Sequence, residues 1–352
     1  MFKPEYKITD KMLDLLASII EVKAIIDRAR ILPQYELRLR RQALVRMTHS
    51  STAIEGNLLN LQQVGQLAVN KKIDAPSRDI FEVQNYIKAL KYIQQVVDKK
   101  QKITEKTVLK IHNLVTANTL PKEQSGCYRK RPIYVVKRRL GISPEVVYSG
   151  PEVSLVSGLM RDLTNWIQKT IDEEINPIIV AGIVHKQLAI IHPFSDGNGR
   201  TARALATLIL YQRGYDFRRL FALEDYYNNN RPKYYSEVSV GKDYKSRQTD
   251  FTSWLEYFIF GFKQEIDEVK EKIVGLSLKK LDDNIQSKVF LNKNQLQIVD
   301  FLDQLGKINV QDVIDILHCP KRTAQLNLQK LKKLGIIKQV GKGPASAYLL
   351  NR

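Results

Sequence analysis

Apolar residues recur every three or four positions along most of this chain, the pattern of helices that pack with one face inward. In residues 9–28, Met12, Leu16 and Ile19 follow this spacing, and Pro33 then ends the pattern. The same spacing predicts helices over further segments: 36–54, 77–97, 104–117, 155–171, 176–191, 201–212, and two that begin near 230 and 250. The segment 176–191 is apolar almost throughout, and Gly214 closes the helix that follows it. The pattern therefore predicts a mainly α fold.

One region departs from this helical spacing. Residues 131–136 and 145–148 are short runs of β-branched and aromatic side chains. The basic segment Lys137–Gly141 joins them, so the pattern predicts a β-hairpin within a helical protein. An inert connecting hairpin stays open as an alternative at this point.

The last 60 residues form a pattern of their own. Three helices are predicted over 294–305, 310–317 and 321–334, with turns at Gly306 and Pro320, and two β-type runs then flank 341–344. Three helices followed by a hairpin is the outline of a winged helix. Residues 292–352 contain ten Lys and Arg against four Asp and Glu, a formal charge of +6. The third helix carries polar and basic residues near its start, where a recognition helix meets base edges: Lys321, Arg322, Thr323, Gln325 and Asn327. DNA binding and protein contact or dimerisation both remain open for this module.

Composition narrows the class of protein. With 352 residues the chain can form two or three modules, and 43% hydrophobic with 26% charged residues is ordinary for a globular protein. The formal charge of +19 favours a polyanionic partner. Cys127 and Cys319 lie far apart, so we expect no disulfide framework and a cytoplasmic location. The start of the chain lacks a signal segment, and no apolar run reaches the ~20 residues that a membrane span needs.

The candidate chemistry is concentrated in residues 191–203, between the helices predicted over 176–191 and 201–212. Glycines and the N-terminus of the second helix together favour an anion, because free backbone N–H groups and the helix dipole point toward the loop. Asp196 is a hard oxygen ligand suited to Mg²⁺ beside phosphate, and Arg200 and Arg203 have guanidinium groups that match phosphate geometry. His192 can take a proton near neutral pH.

This segment resembles the signature of the Fic family, H-x-F-x-D/E-G-N-G-R-x-x-R, at every defined position. Members of that family generally transfer AMP from ATP to a Ser, Thr or Tyr hydroxyl of a target protein. The resemblance implies that His192 is the base, that Phe194 anchors the loop in the core and that Asp196 holds Mg²⁺. It also implies that the loop Gly197, Asn198 and Gly199 cradles the α- and β-phosphates, while Arg200 and Arg203 bind the β- and γ-phosphates. A branch with Lys in place of the second loop glycine transfers phosphate instead, and Gly199 argues against that branch.

A second motif lies near the end of the helix predicted over 36–54. Residues 48–52 are polar and weakly helix-forming, and Glu55 then faces the negative end of the helix dipole, which costs roughly 0.3–1 kcal/mol. The residues alone leave open that Glu55 is simply exposed. However, residues 51–56 are similar to the Fic inhibitory motif S/T-x-x-x-E-G/N. That similarity implies that Ser51 and Glu55 belong to an inhibitory helix and that Glu55 pairs with Arg203 in place of the γ-phosphate, so the enzyme is off by default.

The resemblance also implies roles outside the two motifs. The hairpin, extended to 131–150, would register a target protein by strand addition. Tyr235 would line the adenine site, although Lys242 stands where some relatives have Asn against the adenine. His112 is interpreted as a structural residue far from the motif, and His185 as a packing residue.

The whole chain is then predicted to be a Fic-type helical bundle with a β-hairpin flap and a C-terminal winged helix-turn-helix domain. The expected division is an N-terminal helical region (1–103), a catalytic core (104–262), a helical connector (263–288) and the winged helix (289–352). The expected function is an autoinhibited, Mg²⁺-dependent protein adenylyltransferase. The alternative is a nucleotide-sensing transcriptional regulator that binds DNA through 289–352. The sequence also allows a homodimer.

Overall fold

The computed structural model describes residues 2–29, 31–139, 142–282, 291–341 and 346–351. The chain divides into two compact units. The first comprises Met1–Asp27 and Gln42–Glu271, and the second comprises Arg28–Arg41 and Lys272–Arg352. The predicted boundaries at 103, 262 and 288 remain predictions.

Helices dominate the described residues, which confirms the mainly α prediction. They are, in chain order, α1 (Asp10–Arg28), α2 (Pro33–Ile54), α3 (Leu61–Ala68), α4 (Ser77–Asp98), α5 (Glu105–Thr116), α6 (Val153–Asp172), α7 (Pro177–Ile191), α8 (Asn198–Gln212), α9 (Leu223–Asn229), α10 (Arg231–Val238), α11 (Thr252–Asp282), α12 (Lys293–Leu305), α13 (Val310–Leu317) and α14 (Lys321–Lys333). Helix α2 begins at Pro33, three residues earlier than predicted, because proline suits the first helical position, where no N–H partner is needed. No described helix combines the length and apolarity needed to cross a bilayer.

The centre of the first unit is the pair α7 and α8. The side chain of Asn176 caps α7 by accepting a hydrogen bond from the N–H of Ile178, and Pro177 occupies the first turn. Almost every residue of α7 is buried, and most residues of α8 are buried as well. The two helices are packed against each other, and α4 and α5 pack on α8. The loop between α7 and α8 is therefore held by buried helices on both sides.

The predicted hairpin is present and is longer than expected. Strands β1 (Tyr134–Arg139) and β2 (Ile142–Ser149) pair antiparallel, with a register shift between Val135 and Val136. The hydroxyl of Tyr148 donates to the carbonyl of Ile190 over 2.7 Å, which ties β2 to the end of α7. Leu140 and Gly141, in the predicted basic connection, lie outside the described residues.

In the second unit, α12 to α14 are followed by the antiparallel strands β3 (Ile337–Val340) and β4 (Ala347–Leu350). Asn292 and Asn309 form capping boxes at the starts of α12 and α13. The core of the unit is apolar: Ile298, Val299, Leu302, Ile308, Val313, Leu328 and Leu331 are all fully buried. The predicted order of elements is thus present, the turn at 342–345 lies outside the described residues, and assignment as a winged helix remains a prediction.

Candidate active site

The base candidate His192 sits at the C-terminal cap of α7 in the left-handed conformation, with φ 48° and ψ 57°. Its backbone N–H donates to the carbonyl of Leu188, and its ring Nδ1 lies 3.2 Å from the carbonyl of Ala189. A carbonyl can only accept, so Nδ1 carries the proton and Nε2 keeps its lone pair. Burial lowers the pKa of His192, despite the raising effect of the Ala189 contact. The ring is therefore a neutral imidazole with a free acceptor at neutral pH.

The loop after His192 is fixed by its own side chains. The amide of Asn198 accepts from the N–H of Phe194 and donates to the carbonyl of Phe194, both over 2.9 Å. Arg129 adds a second support, since its Nε donates to the carbonyl of His192 over 2.9 Å. The fully buried ring of Phe194 agrees with the core anchor that the resemblance implies.

His112 contacts this loop directly, so the prediction that it lies far from the motif is wrong. Its ring stacks on Phe194 with centroids 3.7 Å apart, and Nε2 lies 3.0 Å from the carbonyl of Asp196. Its Nδ1 accepts from the N–H of Gly126 over 2.9 Å. Burial lowers the pKa of His112 to about 4, so the neutral ring can donate to Asp196 and accept from Gly126 at once. His112 is buried and supports the loop through its contacts with Phe194 and Asp196.

The loop ends in what we call the anion cradle, residues 197–200 at the start of α8. Gly197 is the N-cap with φ 79°, and no side chain caps the free N–H groups of the first turn. A Cβ on Gly197 would lie 2.7 Å from Thr116 Cγ2, so the position requires glycine for space as well as for φ. The N–H of Gly197 donates to Asp196 Oδ1, so the cradle presents the backbone N–H groups that follow Gly197 and the positive end of the helix dipole.

Arg200 lies under the cradle and is fully buried. Its Nη2 is 3.5 Å from Asp196 Oδ1, and its Nη1 is 3.6 Å from Glu82 Oε1. Its Nε and Nη1 make no hydrogen bond within the described part of the chain. A buried guanidinium with unused donors is costly unless a further acceptor completes it. These donors fit an anionic ligand bound beside the cradle.

Arg203, one turn further along α8, is held by Ser51 of α2 and by Glu55, which directly follows α2. Its Nε donates to Ser51 Oγ over 2.9 Å, and its Nη2 donates both to the Ser51 carbonyl and to Glu55 Oε1 over 2.8 Å each. Burial by itself would lower the pKa of Arg203, but the nearby Glu55 carboxylate, with Tyr234 and Tyr86, raises it above its usual value. Arg203 is thus permanently charged and bound to Glu55.

The Glu55 carboxylate also reaches into the anion cradle. A Cβ built on Gly199 would lie 2.2 Å from Glu55 Oε1 and 3.1 Å from Arg203 Nη1. The absent side chain of Gly199 therefore makes room for a carboxylate directly against the first turn of α8. A phosphate oxygen bound there would need the same space.

The polar segment at the end of α2 has a direct explanation in these contacts. Ser51 binds Arg203, and Ser50 Oγ donates to Asp225 Oδ1 over 2.5 Å. Thr48 and Thr52 turn their hydroxyls back onto carbonyls of their own helix. The side of α2 that carries Ser50 and Ser51 therefore contacts charged groups, while Met47 and Ile54 stay buried in the core.

The aromatic pair of α10 divides into a buried and a half-exposed member. Tyr234 is buried, and its hydroxyl lies 3.0 Å from His185 Nε2 and 3.4 Å from Arg203 Nη1. His185 is therefore a packing residue, as predicted. Tyr235 has 48% of its surface exposed, and its hydroxyl donates to the carbonyl of Ile54 over 2.9 Å. The predicted adenine residue thus contacts the end of α2, next to Glu55.

Asp196 is the residue predicted to hold Mg²⁺. Its side chain is 39% exposed, its Oδ1 accepts from the N–H of Gly197 over 2.6 Å, and its Oδ2 lies 3.5 Å from Arg78 Nη2. Among the described residues, no group of three or more His, Cys, Asp or Glu side chains is placed to hold a metal by itself. Mg²⁺ commonly takes one or two carboxylates together with phosphates and water. One accessible carboxylate beside the anion cradle fits that mode of binding.

Three residues at this site carried no signal in the sequence: Arg78, Glu82 and Asn57. Glu82 Oε1 accepts from Arg78 Nε over 3.2 Å, and its Oε2 accepts from Asn57 Nδ2 over 3.0 Å. They join the N-terminal turn of α4 and the end of the inhibitory motif to Asp196 and Arg200. They lie more than 100 residues before the motif at 192–203, so no local sequence pattern connects them with it.

We compared the chain with known protein families, curated proteins and solved structures. The model of the Fic/DOC family matches residues 102–210. These include helices α5 to α7, the hairpin and the elbow, which is the loop of residues 192–197 between α7 and α8. Residues 102–210 are thus similar to the Fic domain. This confirms the resemblance drawn from residues 192–203.

Curated relatives of the Fic domain are proteins named protein adenylyltransferase Fic. The protein from Drosophila grimshawi is 31% identical over 209 residues, which cover 58% of this chain and 39% of the relative. The protein from Nematostella vectensis is 31% identical over 196 residues, covering 54% and 43% respectively. The chain thus spans about two fifths of the length of the curated relatives it matches.

Solved structures support the fold. A Fic family protein from Desulfovibrio desulfuricans G20 aligns with a TM-score of 0.63 and 24% identity, covering 99% of this chain and 98% of that one. Fic-1 of C. elegans aligns with a TM-score of 0.59 and 23% identity, over 77% and 73% of the two chains. At these identities the likeness concerns the fold of the Fic domain.

Proposed function

We propose that this protein is an autoinhibited protein adenylyltransferase, which transfers AMP from ATP to a Ser, Thr or Tyr hydroxyl of a target protein or of itself. The names of the curated relatives support the reaction class. One observation carries the proposal for this chain: Glu55 lies against Gly199 and bonds Arg203, within an arginine-lined cradle built for an anion.

The reaction follows from the residues around the elbow. His192 Nε2, whose lone pair is free, removes the proton from the target hydroxyl. The hydroxyl oxygen then forms a bond to the α-phosphorus, the bond from that phosphorus to the oxygen bridging to the β-phosphate breaks, and pyrophosphate leaves. The loop 197–199, through the N–H groups of Asn198 and Gly199, and the side chains of Arg200 and Arg203 hold the phosphates. Positioning and charge neutralisation therefore provide most of the catalysis.

Asp196 would hold Mg²⁺ between its carboxylate and the phosphates. When bound, the metal would neutralise phosphate charge. The unused donors of Arg200 support an anionic ligand at the same place. We further propose that the half-exposed ring of Tyr235 packs on the adenine.

Inhibition follows from the position of Glu55. A carboxylate at Arg203 and Gly199 takes the space and the charge partner that a γ-phosphate needs. Removing one partner of a buried ion pair costs on the order of 3–5 kcal/mol, and less here because Glu55 is partly exposed and Ser51 still contacts Arg203. The brake is thus strong enough to suppress turnover and weak enough for a binding partner to release.

The hairpin offers the target-binding surface. Its base is fixed to α7 through Tyr148, beside His192, and Tyr134, Val136 and Val146 expose apolar surface. We propose that an extended segment of the target protein pairs along the 131–150 flap.

The test uses the full-length chain with Glu55→Gly and ATP labelled at either the α- or the γ-phosphate. AMP transfer predicts protein-bound label from α-labelled ATP only, and its loss with His192→Ala. Label from γ-labelled ATP would indicate phosphate transfer instead and would contradict the proposal. Repeating the assay in a cell lysate identifies the modified target.

DNA binding is a second candidate function, of the second unit alone. The exposed face of α14 carries Lys321, Arg322, Gln325, Gln329, Lys330 and Lys332, an arrangement suited to phosphates and base edges. Gel shifts with genomic fragments at two salt concentrations measure it. Lys321→Ala with Arg322→Ala should reduce the salt slope by about 2 and weaken binding, whereas the equally basic control Lys99→Ala with Lys102→Ala should not. Unchanged binding of the α14 variant would refute this candidate.

A further inference from the structure

One carboxylate on α9, Asp225, grips the inhibitory helix α2 at two successive turns. Its Oδ2 accepts from Arg46 Nε, and its Oδ1 accepts from Ser50 Oγ over 2.5 Å. Arg46 and Ser50 are four residues apart and so lie on one face of α2. Only 16% of the Asp225 side chain and 22% of the Arg46 side chain are exposed. This contact is therefore largely removed from solvent screening.

Helix α11 reinforces the same contact. Arg46 Nη2 lies 3.2 Å from Glu265 Oε2 and 3.5 Å from Glu268 Oε2. On α9, Asn228 Nδ2 donates to Ser50 Oγ over 3.3 Å. Side chains of α9 and α11 thus hold one short stretch of α2. We call this group of contacting residues the α2 anchor: Arg46, Ser50, Asp225 and Glu265.

The α2 anchor immediately precedes the inhibitory motif. Ser51 and Glu55, which bind Arg203, follow Ser50 within about 7.5 Å along the helix axis. A helix is stiff over one turn, so the rotation and height of α2 at Ser50 determine where the Glu55 carboxylate lies. In the described contacts, Arg46 and Asp225 touch none of the predicted nucleotide-binding residues.

We infer that Asp225 is a positioning residue for the inhibitory contact: by holding Arg46 and Ser50 it keeps Glu55 in the anion cradle, and loss of the α2 anchor releases the brake. This inference rests on the proposed function. The anchor acts through Glu55 and has no part in the transfer of AMP itself. A partner that engages α9 or α11 could therefore activate the enzyme without reaching the nucleotide site.

The experiment measures initial rates of self-modification with α-labelled ATP for the full-length chain. Asp225→Asn keeps the shape of the side chain and removes its charge, and it should raise the basal rate by about tenfold, the factor expected for one charged hydrogen bond. Ser50→Ala removes a single neutral donor and should raise the rate by a smaller factor. The control Glu256→Gln breaks the ion pair with Lys11 elsewhere in the same unit and should leave the basal rate unchanged.

A double-mutant comparison separates positioning from a general loss of structure. In the Glu55→Gly background the brake is already gone, so adding Asp225→Asn should change the rate by less than about twofold. Hydrogen exchange of peptides covering 46–55 should be faster in Asp225→Asn than in wild type, and unchanged in the Glu256→Gln control.

Two results would overturn the inference: an unchanged basal rate in Asp225→Asn, or an equal decrease of the rate by Asp225→Asn in both backgrounds. If Glu55→Gly itself gives no gain over wild type, the proposed autoinhibition fails. If Glu55→Gly activates and Asp225→Asn does not, only the role of the anchor fails.

Discussion

At the scale of single residues, the site is defined by which atoms have partners and which do not. His192 is held as a neutral ring with Nε2 free, Arg200 has unused donors, and Arg203 is fully bonded by Ser51 and Glu55. The first two therefore offer atoms to a ligand, whereas Arg203 is already bonded within the chain. Tyr235 has both an accessible and a bonded part: its ring is half exposed, and its hydroxyl donates to the carbonyl of Ile54.

Tyr235→Phe should therefore separate the ring from the hydroxyl. The ring remains for the adenine, so the KM for ATP should stay within about twofold, but the basal rate should rise about two- to tenfold as the hydrogen bond to α2 is lost. Self-modification kinetics over a range of ATP concentrations give both quantities. A raised KM with no change in basal rate would mean that the hydroxyl contributes nothing to holding α2.

At the scale of elements, the elbow between α7 and α8 is a rigid corner whose shape depends on glycine. Gly197 needs a left-handed backbone and has Thr116 against the site of any Cβ. The sequence predicts this corner well, because the helix signals, the glycines and the charged residues all lie within thirteen positions. The sequence did not predict the contacts that other helices make with this loop and with Arg200. They come from His112 of α5 and from Arg78 and Glu82 of α4, and no local sequence pattern indicates contacts between such distant segments.

Gly197→Ala should destabilise the Fic domain by about 2 kcal/mol or more, from the strained φ and the clash with Thr116. Gly158→Ala is the matched control, because it lies in the exposed interior of α6 with nothing near its Cβ, and alanine should stabilise that helix by about 0.5–1 kcal/mol. Thermal unfolding measures both, as a decrease of several degrees for the first and no decrease for the second. A similar midpoint for both variants would show that the elbow tolerates a side chain.

At the scale of the whole molecule, the sequence indicated the mainly α fold and the boundaries of most helices to within a few residues. It did not indicate the short helices α3 and α9, or the buried ionisable side chains that join distant helices. Arg46, Asp225 and Glu265 belong to α2, α9 and α11, and each alone has the appearance of a solvated residue on its own helix. The pairing of Glu55 with Arg203, 148 residues apart, was reachable only through the family resemblance.

The buried carboxylates make stability depend on pH. Burial raises the pKa of Glu265 to about 8, against the opposing effect of Arg46, and burial raises the pKa of Glu224 to about 7. A carboxyl group with a folded pKa above its unfolded value binds its proton more tightly when folded. Its contribution to stability is complete below the unfolded pKa and is lost as the pH rises through the folded pKa. The thermal unfolding midpoint should therefore decrease as the pH is raised from about 5 to about 8.

Glu265→Gln mimics the protonated group and should flatten this decrease, whereas Glu268→Gln, at a half-exposed neighbour, should leave it in place. Thermal unfolding from pH 5 to pH 9 gives the comparison. A wild-type midpoint that rises over this range would contradict the assignment of Glu265 and Glu224 as protonated buried groups.

The most direct test of the account is the initial rate of AMP incorporation from α-labelled ATP, at saturating Mg²⁺ and ATP, for wild type against Glu55→Gly. Because the Glu55 carboxylate holds Arg203 and fills the space beside Gly199, the variant is predicted to react at least about tenfold faster. Adding His192→Ala to the variant should abolish the gain. Equal rates for wild type and Glu55→Gly would contradict the account of a site held closed by its own chain.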